Sequence, residues 1–197
     1  MDWKRRTRNC GYLIVLGLFI GMIIYNLLPT PSPDTSAYDA AAKLKTKCII
    51  YVDFSRNSGE NRMYIYDILN KRILYKCKVL NGKGGNHKFS NLPGSNCSSI
   101  GVYKILKQSV LSNGYKCIRL DGLSKTNSNA LTRGIVIHPS KLASIVFFQF
   151  PGNFPLTNSS LGCFSVSYKD YNKLVYLIKN KNTSNPQLRA YMIQKRK

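Results

Sequence analysis

The sequence predicts a mainly β domain with one late helix, preceded by a single N-terminal transmembrane helix. Three observations support this prediction. The chain has 197 residues, of which 44% are hydrophobic and 19% are charged, which is sufficient apolar material for one packed domain. Residues 11–28 carry no charge. From residue 48 onward, short runs rich in Ile, Tyr and Val alternate with turn-forming residues, a pattern typical of strands.

The first 28 residues predict a membrane anchor. Four basic residues among the first nine precede the 18 uncharged residues 11–28. Eighteen helical residues extend about 27 Å, which is close to the thickness of the hydrocarbon layer of a bilayer. Because the run is apolar on every side, a buried helix of a soluble domain is the weaker interpretation. The basic flank favours the cytoplasmic side, so the rest of the chain is expected in the periplasm, or secreted if a signal is cut near residues 35–37.

Composition and charge define the remaining regions. Residues 29–46 are rich in Pro, Ser and Ala and are predicted to be a linker, and residues 47–197 are predicted to be the folded domain. The formal net charge of the chain is +22, which predicts attraction to an anionic membrane or wall surface. Outside the cytoplasm no specific nucleic-acid partner is expected. A Lys- and Asn-rich composition with solvated lysines accounts for the charge equally well.

The cysteines of the outer region permit two interpretations. Cys48, Cys77, Cys97 and Cys117 can form two disulfides in an oxidising compartment, in any of three connectivities, and this leaves Cys163 as the odd thiol. Alternatively, all five are reduced and buried as small hydrophobic residues.

Three strands are predicted at the start of the domain as an antiparallel meander. Residues 48–54 and 62–68 flank a turn around Gly59, and residues 72–80 follow a second turn at residues 70–71. The polar, Gly-rich residues 81–99 are predicted to be an irregular loop, of a length that is usually functional.

Further strands and the late helix complete the predicted domain. The strands are expected at residues 100–106, 115–121, 134–138 and 188–193, the last returning to close the sheet. Residues 170–180 have apolar residues at helical spacing, with Asp170 as the expected N-cap. These elements fit either a β-sandwich or a barrel.

A histidine and a cysteine carry the candidate chemistry. His138 ends the predicted strand 134–138, and Cys163 directly follows Gly162. A cysteine acts as a nucleophile in its thiolate form, which a neighbouring histidine generates by accepting the proton. A glycine beside it allows backbone N–H groups to point into the site and stabilise an oxyanion. From these residues alone, a histidine at a strand end and a buried cysteine remain the simpler interpretation.

Several motifs in order resemble the YkuD-like murein L,D-transpeptidase catalytic domain over residues 48–193. They are FSN (89–91), GSN (94–96), RLDGL (119–123), RGIVIH (133–138) and SLGC (160–163). The resemblance implies an L,D-transpeptidase-like β-sandwich. It also implies that Cys163 and His138 are the catalytic pair, and that Ser160 and Gly162 shape the turn at the nucleophile.

The resemblance further implies the reaction and its partner, the stem peptides of peptidoglycan. Cys163 would attack the carbonyl after the L-centre of meso-diaminopimelate in a stem tetrapeptide and release the terminal D-alanine. The thioester would then pass to an amine of another stem, forming a 3–3 cross-link, or to water, as in an L,D-carboxypeptidase. This chemistry requires no metal and no organic cofactor.

The polar loop and a few departures from the family pattern bear on substrate binding. Substrate contacts are expected from Asn81, Lys83, Ser95 and Asn96. Asn81 stands where the family often has His, Pro139 where it has Gly, Leu161 where it often has a second His, and Ser165 where it often has Arg or Asn. Together these departures admit a weakened enzyme or one with an unusual substrate. The alternative function is that of a degenerate relative that binds cell-wall peptide without catalysis.

Overall fold

A computed structural model of the chain describes residues 11–21, 35–43, 46–84, 88–149, 160–181 and 189–193. Residues 11–21 form helix α1, and its side chains are exposed. Among the described residues, no helix combines the length and the hydrophobicity needed to cross a lipid bilayer. The predicted span at 11–28 is described only in its first part, since residues 22–28 lie outside the described ranges.

Eight strands of the described chain form one sheet. They are β1 (Cys48–Asp53), β2 (Met63–Asp67), β3 (Arg72–Cys77), β4 (Gly101–Val110), β5 (Lys116–Gly122), β6 (Val136–Pro139), β7 (Phe164–Val166) and β8 (Arg189–Ile193). Their order in the sheet is β3-β2-β1-β8-β4-β5-β6-β7. The further helices are α2 (Thr35–Lys43), α3 (Lys141–Gln149) and α4 (Tyr168–Lys181), with a short 3-10 turn at Lys125–Asn127. The mainly β fold with a late helix is therefore confirmed.

The pairing of the strands confirms the predicted meander and corrects the place of the last strand. β1 pairs with β2, and β2 with β3, both antiparallel. β8 was expected to close the sheet, but it lies in the middle, parallel to β1 and antiparallel to β4. A parallel neighbour requires a long crossover connection rather than a hairpin, which a strand pattern alone does not reveal.

A backbone bridge joins the two edges of this sheet. Leu80, three residues beyond β3, donates its N–H to the Ser165 carbonyl at 2.8 Å and accepts the Ser165 N–H at 3.0 Å. Gly82 then forms a further bridge with Ser160. The main hydrophobic core collects buried side chains from β1 to β7, together with Tyr171 and Leu174 of α4. The strands therefore surround one core, and the bridge brings the polar loop against β7.

Strands β1 and β2 are buried on both faces. Every residue of the two strands is buried, and one face belongs to the main core. On the other face Tyr51, Tyr64 and Tyr66 form a second cluster with Ala41 of α2. Residues 29–46, expected as a linker, therefore contain a helix that packs on the sheet.

Helix α4 confirms the late helix predicted at 170–180, but it begins two residues earlier and its cap differs. The Ser167 hydroxyl accepts the Asp170 N–H at 3.1 Å and donates to the Asp170 carboxylate at 2.6 Å. The first of these bonds is a side-chain N-cap, which satisfies one of the free N–H groups of the first helical turn, and the second orients the capping hydroxyl. Ser167 is therefore the N-cap, and Asp170, predicted for that place, is the third residue of the helix.

Candidate active site

Strand β6 fixes the position and the proton of His138. The Nδ1–H donates to the Pro139 carbonyl at 2.9 Å. Nε2 is then the acceptor atom of the neutral ring, and it lies 3.0 Å from the Ser165 hydroxyl, which donates to it. The backbone carbonyl of Pro139 therefore orients the imidazole, a role for which the sequence offered no candidate.

The surroundings of His138 favour its neutral form. Burial lowers the pKa of His138, and the hydrogen bond to the Pro139 carbonyl opposes that change. A histidine with a pKa below its ordinary value of about 6.5 is uncharged at pH 7. The ring is thus in the state that accepts a proton.

Cys163 follows a turn that requires glycine. Gly162 has a φ of +115°, in the region that L side chains rarely adopt. A Cβ at this position would lie 2.8 Å from the Cys97 carbonyl oxygen and 2.9 Å from Nη2 of Arg133. The Ser160 hydroxyl donates to the Cys163 carbonyl at 2.6 Å and receives the Gly162 N–H at 3.3 Å. Ser160 and Gly162 therefore hold the backbone on both sides of the turn.

The same hydrogen bonds decide which backbone donor of the turn faces the site. The Gly162 N–H is occupied by Ser160, so it does not point to an incoming carbonyl. The N–H of Cys163 has no hydrogen-bond partner within the part of the chain that the structure describes. The Cys163 N–H is therefore available to donate to an oxyanion.

The Cys163 thiol is half-buried and protonated at neutral pH. Its Sγ donates to the Gly134 carbonyl at 3.7 Å. Burial raises the pKa of the Cys163 thiol, while the Val136 N–H and the positive charge of Arg133 act in the opposite direction. A raised pKa makes the thiolate scarce at pH 7, so the nucleophile needs a base at the moment of attack.

The register of β6 and β7 favours the same face of the sheet for the cysteine and the histidine. His138 pairs with Ser165, and Cys163 precedes Ser165 by two residues. Side chains two apart along a strand point the same way, and Phe164 between them points into the core. In the described structure no hydrogen bond joins Cys163 to His138. Ser165 is the group that the imidazole contacts.

Arg133 is a site residue that the sequence analysis did not single out. Its guanidinium donates to the Ser90 carbonyl at 2.7 Å and to the Cys97 carbonyl at 2.6 Å. Arg133 thereby joins two parts of the polar loop 81–99. No carboxylate pairs with it among the described residues, so its positive charge acts on the Cys163 thiol. In the sequence, the only sign of this role was that Arg133 is the first residue of the RGIVIH motif (133–138).

Comparison with known proteins decides the family. Residues 32–184, well over half of the chain, match the family model of the L,D-transpeptidase catalytic domain. The chain belongs to this family. No curated protein matches it.

Several solved structures resemble this L,D-transpeptidase-family chain. The helical cell shape determining protein Pgp2 from Campylobacter jejuni has 14% identity and a TM-score of 0.49, with 76% of this chain and 48% of that chain covered. The L,D-transpeptidase from Xylanimonas cellulosilytica has 12% identity and a TM-score of 0.43, with 84% and 65% covered. Bdellovibrio bacteriovorus Bd1075 has 14% identity and a TM-score of 0.43, with 75% and 48% covered. This chain spans about half the length of the first of these.

The four polar residues expected to bind substrate lie in different surroundings within this L,D-transpeptidase domain. Asn81 is fully buried, and its Oδ1 accepts a hydrogen bond from Arg62 at 2.8 Å. Lys83 is exposed, and its N–H donates to the Ser160 carbonyl at 2.8 Å. Lys83 thus lies beside the nucleophile turn, whereas Asn81 would reach substrate only after a rearrangement.

Ser95 and Asn96 shape the loop itself. The Ser95 hydroxyl donates to the Leu92 carbonyl at 2.8 Å. Asn96 has a φ of +55°, and its carbonyl accepts the Gly84 N–H at 3.0 Å. Both residues are half-buried. Their contact with substrate stays a prediction.

The structure favours the reduced interpretation of the cysteines. Cys77, Cys97 and Cys117 are free and buried, and Cys163 is free and half-buried. Cys48 is buried in β1. The disulfide framework considered from the sequence is therefore not formed by the three free buried thiols, which fill space in the domain as small hydrophobic residues.

Proposed function

We propose that the chain is a cysteine-dependent murein L,D-transpeptidase that forms 3–3 cross-links between peptidoglycan stem peptides. The family acts on peptidoglycan stems in general. The observation that carries the proposal for this chain is the register of β6 and β7, which favours a thiol and a neutral imidazole on the same face. Ser165, between them, is in hydrogen-bond contact with the imidazole.

The proposed reaction begins with both groups uncharged. The Cys163 thiol gives its proton to His138 Nε2, directly after a small movement of the ring or through the Ser165 hydroxyl. Sγ then bonds to the carbonyl carbon after the L-centre of meso-diaminopimelate, and the Cys163 N–H donates to the oxyanion. The C–N bond to the terminal D-alanine breaks, and the imidazolium returns the proton to that amine. An amine of a second stem, or water in the carboxypeptidase reaction, then displaces the thioester sulfur.

Release of D-alanine from a soluble muropeptide with a tetrapeptide stem tests the proposal. We expect release by the full-length chain and an acyl adduct on Cys163 by intact mass, both lost in Cys163→Ala and retained in the matched variant Cys117→Ala. Because the pKa of His138 is lowered, the base stays neutral down to that pKa, so the rate should begin to fall only at a pH below about 6.5. A folded chain that neither releases D-alanine nor forms the adduct contradicts the proposal.

A second candidate function is a wall-binding module without turnover. It is favoured by the missing Cys163–His138 hydrogen bond in the described structure and by the raised pKa of the thiol. This candidate predicts that the tetrapeptide binds the wild-type chain and the Cys163→Ala variant equally, with no D-alanine released from either.

We also propose that residues 11–28 anchor the chain in the cell membrane, with the catalytic domain on the periplasmic side. Support comes from the uncharged run and from the exposed apolar side chains of α1. Extraction of membranes at alkaline pH tests this. The full-length chain should stay with the membrane pellet, whereas recovery in the soluble fraction would contradict an anchor.

A further inference from the structure

The backbone at residues 82–84 packs closely against residues 95–98 of the polar loop. An added Cβ at Gly82 would overlap the Asn96 carbonyl oxygen, and one at Gly84 would overlap the Cys97 Sγ. Both glycines thus face this segment without room for a side chain, whereas Lys83 between them is exposed. The close packing therefore leaves Lys83 at the surface.

Two hydrogen bonds connect Lys83 with the nucleophile turn. The Lys83 N–H donates to the Ser160 carbonyl at 2.8 Å, and the Ser160 hydroxyl donates to the Cys163 carbonyl at 2.6 Å. Gly82 forms a parallel bridge with Ser160, so the residues that follow them, Lys83 and Leu161, are neighbours. Ser160 is buried, whereas Leu161 is 63% exposed and Cys163 is half-buried. Lys83 therefore lies beside the open side of the turn that carries the nucleophile.

The charge of Lys83 is not neutralised within the described part of the chain. The ion pairs found there join Arg56 to Glu60 and Arg72 to Asp67. A lysine ammonium is a compact charge with three donors on a flexible four-carbon stem. Lys83 is therefore free to pair with an anionic group of a bound substrate.

The proposed reaction brings one carboxylate next to the nucleophile. The bond that breaks joins the attacked carbonyl carbon to the terminal D-alanine, whose carboxylate lies one residue further, within about 4 Å of that carbon. The carboxylate at the D-centre of meso-diaminopimelate lies at the far end of its side chain. We infer that Lys83 determines specificity by binding the C-terminal carboxylate of the leaving D-alanine. The chain thereby selects stems that end at this residue. This inference rests on the proposed function.

Binding of matched stem peptides tests the inference without relying on catalysis. The probes are a soluble muropeptide with a tetrapeptide stem and the same compound with its terminal carboxylate converted to an amide. We expect the full-length Cys163→Ala chain in detergent to bind the acid about 3- to 5-fold more tightly than the amide, as for a partly exposed ion pair. Adding Lys83→Met, which keeps the backbone N–H, should abolish this preference, and Lys83→Arg should retain it. Lys179→Met, an exposed control on α4, should leave it unchanged.

Three binding results overturn the inference. One is equal binding of the acid and the amide, and another is an unchanged preference in Lys83→Met. The third is an equal loss in Lys179→Met, because the excess positive charge of the whole chain would then be the cause. A further probe, amidated only at the D-centre of meso-diaminopimelate, tests the other carboxylate. Discrimination against this probe that Lys83→Met removes would overturn the assignment to the terminal carboxylate.

Catalysis separates this inference from the proposed function. In the active chain, Lys83→Met should lower kcat/KM for D-alanine release by about 3- to 5-fold, mainly through a higher KM, because the carboxylate is bound both before and during the reaction. A preference for the acid in binding without any D-alanine release would refute the proposed function alone. Release of D-alanine without that preference would refute the role of Lys83 alone.

Discussion

Replacement of Gly162 by Ala tests the packing of the nucleophile turn most directly. An added Cβ would meet the Cys97 carbonyl oxygen at 2.8 Å, and that oxygen is held by Arg133 at 2.6 Å, so it cannot move aside cheaply. The φ of +115° adds conformational strain, because only glycine adopts such a φ readily. We therefore expect both a steric and a conformational cost.

The two costs can be separated with a matched glycine. Holding an L residue at positive φ costs about 1–3 kcal/mol. Overpacking adds typically about 1–3 kcal/mol. Gly94 also has a positive φ, +76°, but no atom lies within 4 Å of its added Cβ. Gly94→Ala therefore carries a conformational cost without a steric one, and Gly162→Ala should be less stable than it by at least about 1 kcal/mol.

Urea unfolding of both variants measures this difference as a free energy of unfolding. The Gly162→Ala variant should also acylate more slowly at Cys163, because the turn must shift to admit the methyl group. Equal stability of the two variants would refute the described contacts around Gly162. If the Gly162→Ala variant were as stable as the wild type, both the contacts around Gly162 and its φ of +115° would be refuted.

Two more predictions concern arginines that act through backbone carbonyls. Arg133→Gln removes a positive charge that lowers the pKa of the Cys163 thiol, so alkylation of Cys163 by iodoacetamide at pH 8 should slow by about 2- to 5-fold and its pH profile should move to higher pH. An unchanged profile, or no recovery in Arg133→Lys, would contradict this. Arg62 is buried and donates to the Val79 carbonyl and to Asn81, both at 2.8 Å. Arg62→Met should therefore cost about 2–4 kcal/mol in urea unfolding, since buried acceptors lose their donor. A loss below about 1 kcal/mol would argue that these contacts contribute little.

Local sequence signals predicted most of the strands but not their neighbours. The runs at 48–54, 62–68 and 72–80 are rich in β-branched and aromatic residues, and they form β1, β2 and β3. β7 is only three residues long, too short for a period to be visible. The central place of β8 depends on pairing with distant strands, which no local pattern encodes.

In the candidate site, too, sequence motifs predicted some residues, whereas residues that act through long-range contacts were missed. Cys163 and His138 were predicted as the catalytic pair because their motifs resemble those of the family, and Gly162 was predicted to shape the turn because it precedes the thiol. The Pro139 carbonyl and the Arg133 guanidinium were missed because their roles depend on backbone register and loop packing. Those contacts exist only once residues far apart in the sequence have come together.

The bridge between Leu80 and Ser165 has a consequence for the biogenesis of the domain. Its two residues are separated by 85 positions in the chain, and closing so long a segment is entropically costly and slow. Since β8 fills the centre of the sheet, residues 189–193 are needed between β1 and β4. A ribosome-bound fragment ending before residue 189 therefore lacks a central strand of the sheet. We expect the Cys163 thiol of such a fragment not to be acylated by stem peptides, because its site is not yet assembled.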